Sequence, residues 1–169
     1  MRRRARLSSR FGISSDRRDG WTPASVRPSR AVRGTTVRIL IIDDHRNTRE
    51  AIALALTQIG LEVDTAASGF EAMGLLDAHR YDWMVCDVRM PGMSGIELAA
   101  QARAVQPAAG VVLMTAYDVS GDDRRRLAEI GAGLLIKPVT ADDLVAYWSA
   151  SLRESSDPLR SQEAGRPLT

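Results

Sequence analysis

The sequence has few of the residues that form disulfide bonds or bind zinc. Its 169 residues include one cysteine, Cys86, and two histidines. An internal disulfide is therefore excluded, and a structural zinc site is not expected. Aromatic residues make up only 5% of the chain, and no apolar run approaches the roughly 20 residues that a membrane-spanning helix needs. We expect one globular domain with an aliphatic core, located in the cytoplasm.

Charge is distributed unevenly along the chain. Residues 1–36 contain ten arginines but only Asp16 and Asp19, so they carry a net charge of +8 while the remainder carries −6. This arginine- and serine-rich segment lacks a hydrophobic period and predicts a disordered basic leader. An extension without function is the favoured interpretation, and an organelle transit peptide or non-specific nucleic-acid binding are the alternatives. Residues 155–169 predict a disordered polar tail, which leaves a domain at 37–154.

Between the two tails, short apolar runs alternate with amphipathic segments. The β-branched and aliphatic runs predict strands at 37–42, 61–66, 81–87, 111–115 and 134–137. The segments that follow them predict helices, with capping residues expected at Asn47, Ser68, Ser94 and Thr140. Such alternation is typical of βαβ units with right-handed crossovers, and it predicts an α/β fold with a parallel sheet.

Four of the five predicted strands end in a polar or charged side chain. Asp43 and Asp44 follow the first strand, and Asp87 ends the third. Thr115 ends the fourth strand and Lys137 ends the fifth. In open α/β folds, ligands bind at the edge where the carboxyl ends of the strands meet, so these side chains are expected to converge. The predicted site contains three carboxylates, a hydroxyl and an ammonium group.

Three carboxylates in one cleft repel each other, and a cation must offset the repulsion. At a separation of ~4 Å and an effective dielectric constant near 20, each pair costs about 4 kcal/mol. Lys137 supplies one positive charge, and a divalent cation would supply more. Oxygen ligands without clustered histidine or cysteine suit Mg²⁺. The two histidines, His45 and His79, are isolated in the sequence, and we expect solvated or packing roles for them.

Two further motifs accompany the polar strand ends. The loop Met-Pro-Gly-Met-Ser-Gly at 90–95 follows Asp87, and Pro138 follows Lys137. With these motifs, the region from 37 to 153 closely resembles the receiver domain of two-component response regulators. The resemblance implies a flavodoxin-like, doubly wound fold, with five parallel strands in the order 2-1-3-4-5 and helices on both faces.

The resemblance also implies a role for each site residue. Asp87 would accept a phosphoryl group from a sensor histidine kinase or a phosphotransfer protein. Mg²⁺ would be bound by Asp44, Asp87 and the backbone carbonyl of Arg89, and Asp43 would hold it through water. Lys137 would pair with the phosphoryl group. The chain is thus expected to be a self-modifying switch rather than a turnover enzyme.

In such a switch, Thr115 would hydrogen-bond the phosphoryl group and reposition the face formed by the fourth helix, fifth strand and fifth helix. That face would bind a downstream protein target, or a second copy of the chain in a homodimer. Leu134 stands where this family usually has an aromatic residue, so we expect its coupling to the movement of Thr115 to be weaker or different. Arg89 and Tyr117 occupy positions that modulate the lifetime of the phosphoryl group in this family.

The fourth predicted helix contains three consecutive arginines at 124–126. They are expected to form a solvated face, and partner docking is the alternative.

Other classes of function remain alternatives at this stage. No recognisable output module follows Leu152, which favours a stand-alone receiver that acts through protein contacts. The runner-up is a receiver-like adaptor that does not depend on phosphorylation. An aspartyl-phosphate phosphatase would need a second acid two residues after Asp87, where the sequence has Arg89. A DNA-binding regulator has only the basic leader in its favour, so neither DNA nor membrane binding is expected.

Overall fold

The computed structural model describes residues 36–155. Residues 1–35 and 156–169 lie outside the described part of the chain, and so do the leader and tail predicted at 1–36 and 155–169, except for Thr36 and Ser155. Within residues 36–155, five strands alternate with five helices. In chain order they are β1 (Arg38–Ile42), α1 (Arg46–Gln58), β2 (Glu62–Ala66), α2 (Gly69–Ala78), β3 (Trp83–Asp87), α3 (Gly95–Val105), β4 (Gly110–Thr115), α4 (Gly121–Ile130), β5 (Gly133–Ile136) and α5 (Ala141–Ser155).

The five strands form one parallel sheet in the order β2-β1-β3-β4-β5, which confirms the predicted flavodoxin-like fold and strand order. The first crossover leads from β1 outward to β2, and the second returns to β3 on the other side of β1. Such a reversal opens a crevice at the carboxyl ends of the two central strands. Asp43 follows β1 and Asp87 ends β3, so both acids lie at this crevice.

Two apolar cores, one on each face of the sheet, explain why the central strands are continuously hydrophobic. Leu40 and Ile42 of β1 belong to the core that is completed by α2, α3 and α4. Ile39 and Ile41 belong to the core that is completed by α1 and α5. All four side chains are fully buried, as expected for a strand that is covered on both sides. Among the described residues, no helix combines the length and the apolar character needed to cross a membrane.

Three of the four predicted capping residues lie at helix starts. Ser94 accepts a hydrogen bond from the backbone N–H of Glu97 at 3.3 Å, and the Glu97 carboxylate accepts one from the N–H of Ser94 at 2.9 Å. This is a complete capping box. Ser68 accepts in the same way from the N–H of Glu71 at 3.2 Å, and Thr140 precedes α5. The capping box fixes the start of α3 directly after the loop that follows Asp87.

The cap predicted at Asn47 is wrong. Helix α1 begins at Arg46, and its N-cap is His45, whose side chain makes no capping bond. The backbone N–H of His45 donates to Oδ1 of Asp43 at 2.8 Å. Because this bond turns the chain immediately after β1, the helix starts before Asn47 is reached. The buried carboxylate of Asp43 therefore also sets the start of α1.

Two further element ends differ from their predicted positions by two residues or more, whereas β5 (Gly133–Ile136) is shifted by one residue from the predicted 134–137. Strand β3 begins at Trp83 rather than at Tyr81, because the backbone N–H of Tyr81 donates to the side chain of Gln106 at 2.9 Å instead of to a neighbouring strand. Helix α5 extends to Ser155, beyond its predicted end near Leu152. Neither difference changes the positions at which the strands end on the crevice side of the sheet.

Candidate functional site

The first acid of the site, Asp87, is held by the junction between β3 and α3. Its side chain is buried, and its Oδ1 atom accepts a long hydrogen bond from the backbone N–H of Arg89 at 3.4 Å. The N–H of Val88 donates to the carbonyl of Met114 at 2.9 Å, and the N–H of Gly95 donates to the carbonyl of Val88 at 2.9 Å. These bonds fix the backbone on both sides of the loop, so the carboxylate has a defined position.

The acidic pair lies beside Asp87. Asp43 is fully buried, and the side chain of Asp44 is 28% exposed. One carboxylate oxygen from each of Asp43, Asp44 and Asp87 and one ring nitrogen of His45 lie within 4.8 Å of one another. Such a separation is compatible with ligands of one metal ion. The structure therefore brings together the three carboxylates that were predicted from separate strand ends.

Lys137 bridges two of these carboxylates. Its Nζ atom donates to Oδ2 of Asp43 at 2.8 Å and lies 3.0 Å from Oδ2 of Asp87. Burial acts to lower the pKa of the ammonium group, but the hydrogen bonds to the two carboxylates outweigh it, and the pKa of Lys137 is raised. Lysine thus occupies the Oδ2 side of both acids, and the Oδ1 side is where His45 and Arg89 approach.

Thr115 ends β4 at the same edge of the sheet. Its neighbour in the strand, Met114, is in register with Asp87, and the Thr115 side chain is buried. Its hydroxyl donates to the carbonyl of Tyr117 at 3.0 Å and accepts from the N–H of Tyr117 at 3.1 Å. The hydroxyl is therefore engaged by the loop between β4 and α4. The carbonyl of Thr115 also accepts from the N–H of Lys137 at 2.7 Å, which links the two strand ends.

A stacked pair of side chains lies above this edge. The guanidinium carbon of Arg89 lies 4.6 Å from the centre of the Tyr117 ring. The Tyr117 side chain is 60% exposed, so the stack faces solvent on its outer side. Leu134 replaces the aromatic residue that is usual at this position in the family that the sequence resembles. It is partly buried and packs against the core on the α2–α3–α4 face. The stack joins the loop after β3 to the loop before α4.

An open cleft of about 580 Å³ continues from the acidic site toward α3 and α4. Its lining includes Asp44 and Arg89 from the acidic site and Glu97, Asp123 and Arg126 from the two helices. Sequence reasoning missed this cleft, because it is formed by side chains from helices that are far apart in the chain. The sequence predicts the same solvated role for the three arginines of α4, yet among them only Arg126 lines the cleft.

The remaining two arginines of that group have local partners. Arg124 forms an ion pair with Asp118, and Arg125 lies 3.0 Å from Asp122. These exposed pairs fit the predicted solvated face. Arg126 is the member of the group that lines the cleft.

His45 is exposed to solvent, as predicted, but the description of it as isolated is wrong. Its Nδ1 atom lies 3.0 Å from Oδ1 of Asp44 and 3.4 Å from Oδ1 of Asp43. The signal was present in the sequence, because His45 directly follows the acidic pair. His79 does have a packing role: its ring meets that of Tyr81 edge-on, with a centroid separation of 6.5 Å.

Cys86 takes no part in the chemistry of the site, although it precedes Asp87. Burial, followed by the negative charges of Asp87 and Asp43, raises the pKa of the thiol well above its ordinary value. Its Sγ atom donates to the carbonyl of Asp87 at 3.2 Å. A thiol that stays protonated is a poor metal ligand and a poor nucleophile. The donors available to a metal are therefore the carboxylate and backbone carbonyl oxygens, which fit a hard divalent cation, together with the His45 ring.

Comparison with known proteins places this site in a family context. The family described as "Response regulator receiver domain" matches residues 39–149. Among curated relatives, Response regulator MprA of Mycobacterium sp. (strain KMS) is 36% identical over 123 residues, covering 71% of this chain and 52% of the relative. The chain therefore spans about half the length of the curated relatives that it matches.

Solved structures give the same result. The receiver domain protein (CheY-like) of Methanospirillum hungatei JF-1 matches with a TM-score of 0.66 and 27% identity, over 72% of this chain and 97% of that one. Response regulator protein TrrA of Thermotoga maritima, solved in complex with Mg²⁺ and BeF, matches with a TM-score of 0.59 and 33% identity. That match covers 69% of this chain and 99% of TrrA.

Proposed function

This chain belongs to the response regulator receiver domain family, the phosphorylation switches of two-component signal transduction, and we propose that Asp87 is its phosphoryl acceptor. The observation that carries the proposal is the arrangement of Asp87 and Asp43 around the Nζ atom of Lys137, at 3.0 and 2.8 Å. A buried carboxylate that faces a fixed ammonium group is suited to accept a phosphoryl group, because the ammonium group offsets part of the added negative charge. We take the domain to run from 37 to 154.

The proposed donor is the phosphohistidine of a sensor histidine kinase or of a phosphotransfer protein. An oxygen of the Asp87 carboxylate forms a bond to phosphorus as the P–N bond of the phosphohistidine breaks, and the electron pair of that bond remains on the imidazole nitrogen. Lys137 then pairs with an oxygen of the new acyl phosphate. Its ammonium group is already held within hydrogen-bonding distance of Asp87, so little reorganisation is needed during transfer.

Mg²⁺ is the proposed cofactor. Asp43, Asp44 and Asp87, together with the backbone carbonyl of Arg89, would hold it, and the clustering of the three carboxylates supports this assignment. When bound, such an ion neutralises the negative charge that develops on the transferred oxygens.

Thr115 is the proposed link between phosphorylation and output. Its hydroxyl exchanges the two hydrogen bonds to Tyr117 for one to the phosphoryl group, and the loop before α4 is released. The face formed by α4, β5 and α5 then changes shape and binds a downstream protein or a second copy of the chain. Ile136 on the edge strand β5 is 53% exposed, which provides an apolar contact for such a partner.

Mass spectrometry after incubation with acetyl phosphate and Mg²⁺ tests the acceptor directly. We expect the wild type to gain the mass of one phosphoryl group, and Asp87→Asn to gain none. Asp77→Asn is the matched control, because Asp77 is an exposed acid on α2. Modification of Asp87→Asn to the wild-type level would assign the acceptor elsewhere.

The alternative is a receiver-like adaptor that works without phosphorylation. No specific contact in the described residues favours it over the switch. It predicts that neither wild type nor Asp87→Asn is modified, although both still bind the same protein partner. The same mass measurement therefore separates the two functions, provided that circular dichroism shows both proteins to be folded.

A further inference from the structure

His45 is placed at the acidic site as a fourth possible ligand. Its Nδ1 atom belongs to the group of donor atoms that lie within 4.8 Å of one another, together with oxygens of Asp43, Asp44 and Asp87. The backbone of His45 also contacts this group, since its N–H donates to Oδ1 of Asp43 at 2.8 Å. The backbone position of His45 is therefore fixed relative to the first acid.

The spacing of these atoms matches that of neighbouring ligands around an octahedral ion. Adjacent ligands with bonds of about 2.1 Å lie about 3.0 Å apart. The Nδ1 atom of His45 lies 3.0 Å from Oδ1 of Asp44, to which a protonated Nδ1 donates a hydrogen bond, and 3.4 Å from Oδ1 of Asp43. A metal ion bound by Nδ1 would replace the proton of this hydrogen bond. Lys137 contacts the Oδ2 atoms of Asp43 and Asp87 instead, so it does not compete for the side on which the imidazole lies.

We propose that His45 is a metal ligand of this site and that it shifts the preference of the site from Mg²⁺ toward divalent transition ions such as Mn²⁺. This inference rests on the proposed function, because it concerns the ion that serves phosphoryl transfer at Asp87. Imidazole nitrogen binds first-row transition ions well, whereas Mg²⁺ favours oxygen and retains water. Mg²⁺ would therefore fill the His45 position with water and lose little if the imidazole were removed.

The exposure of His45 makes the inference easy to test. Its side chain is 70% exposed, and it makes no capping bond to α1. Replacing it should therefore leave the fold intact. The chain offers a matched control in His79, the other histidine of the sequence, which packs against Tyr81 and is not part of the acidic group.

The experiment measures the affinities of the full chain for Mn²⁺ and Mg²⁺ by isothermal titration calorimetry, in the wild type, His45→Ala, His45→Gln and His79→Ala. We expect the Kd for Mn²⁺ to rise by at least about ten-fold in both His45 variants, the lower end of what loss of groups around a metal costs. The Kd for Mg²⁺ should change by less than about two-fold. His79→Ala should leave both unchanged.

Pulsed electron paramagnetic resonance of bound Mn²⁺ gives a second readout that does not depend on affinity. We expect modulations from a directly bound nitrogen in the wild type and in His79→Ala, and none in His45→Ala. Persistence of the nitrogen signal without His45, or an equal loss of affinity for both ions, would overturn the inference.

Failure of this inference can be told apart from failure of the proposed function. If Mg²⁺ supports phosphorylation of Asp87 by acetyl phosphate while the His45 variants bind Mn²⁺ as the wild type does, only the role of His45 is refuted. If the wild type binds neither ion and is not phosphorylated, the proposed function itself is refuted, and His45 has no site to serve.

Discussion

At the residue level, the ammonium group of Lys137 lies between two buried carboxylates. Lys137 contacts Asp43 and Asp87 at 2.8 and 3.0 Å, and its side chain is only 19% exposed. Neither acid has another cationic side chain among its described ion pairs except His45, which is charged only when protonated. The charge balance of the site without metal thus depends on one side chain.

Replacing that side chain by one of similar shape and no charge tests this dependence. We expect Lys137→Met to lower the free energy of unfolding by about 3 kcal/mol in the absence of divalent ions, because two buried carboxylates lose their counter-ion. Mg²⁺ should then restore more stability in the variant than in the wild type. Urea unfolding with EDTA and with Mg²⁺ measures both effects, and equal stability of the two proteins in EDTA would contradict the argument.

Outside the acidic site, the carboxylate of Asp64 in β2 links Arg38 of β1 to Tyr81, which precedes β3. It accepts hydrogen bonds from Nε of Arg38 at 2.9 Å and from the hydroxyl of Tyr81 at 2.8 Å. Burial acts to raise the pKa of Asp64, but the hydrogen bonds from Tyr81 and Arg38 outweigh it, and the pKa is lowered. Its stabilising effect is therefore present above the unfolded-state pKa of about 3.9 and is lost as the pH falls through the lower folded-state value.

This sign gives a pH-dependent prediction. At pH 7, we expect Asp64→Asn to be less stable than the wild type by about 1 kcal/mol or less, since the group is one-third exposed and partly screened by water. Below about pH 4 the difference should shrink, because the wild type loses the same interaction by protonation. Urea unfolding from pH 3 to 7 measures it, with Asp77→Asn as control. A difference that stays constant with pH would show that the charge of Asp64 is not involved.

At the level of elements, the start of α3 is packed tightly against the end of β3. A Cβ atom added to Gly95 would lie 2.1 Å from the carbonyl oxygen of Asp87 and 3.1 Å from Sγ of Cys86. The Gly95 N–H also donates to Val88, so the helix cannot move away without losing that bond. A residue with a side chain would therefore displace either the helix or the acceptor strand.

Alanine at this position should be clearly destabilising. We expect Gly95→Ala to lower the free energy of unfolding by about 3 kcal/mol, the upper part of the usual range for overpacking. Gly74→Ala is the matched control, since Gly74 lies inside α2 with open space around it. Alanine there should raise stability by about 0.5–1 kcal/mol. Urea unfolding measures both changes in the free energy of unfolding. Equal changes would mean that the start of α3 accommodates the added methyl group without loss of stability.

The helix starts also show where local sequence predicts structure and where it does not. The Ser94 and Glu97 pair could be recognised because both partners of the capping box lie within one turn. Asn47 failed because a carboxylate outside the helix, Asp43, fixes the preceding backbone. A spacing rule contains no information about that bond. Helix boundaries are thus predictable where the capping partners are local, and they are not where the site itself supplies one.

At the level of the whole molecule, the convergence of the site was predictable because parallel strands bring their carboxyl ends to one edge. Contacts between distant side chains were not. Arg103 of α3, for example, donates to the carbonyls of Pro107, Ala109 and Ile130, and so connects α3 to the end of α4. Nothing in the local sequence marks it, because its partners are backbone atoms whose positions depend on the finished fold. The cleft between α3 and α4 escaped prediction for the same reason.

Because the site joins strands from across the sheet, occupancy of the site should stabilise the entire domain. Asp43, Asp87 and Lys137 follow or end β1, β3 and β5, so a phosphoryl mimic held by all three is bound only by the folded state. At a free ligand concentration about 100 times the Kd, such binding adds about 2.7 kcal/mol. For a domain of this size that corresponds to a rise in Tm of roughly 10 °C.

We therefore expect beryllofluoride with Mg²⁺ to raise the Tm of the wild type by about this amount in differential scanning calorimetry. Asp87→Asn should show a much smaller rise, because its neutral amide replaces the carboxylate to which the mimic attaches. Mg²⁺ alone and fluoride alone are the controls for ion effects. The same increase in the wild type and in Asp87→Asn would mean that the mimic binds away from Asp87, and that the strand ends are not joined by the ligand.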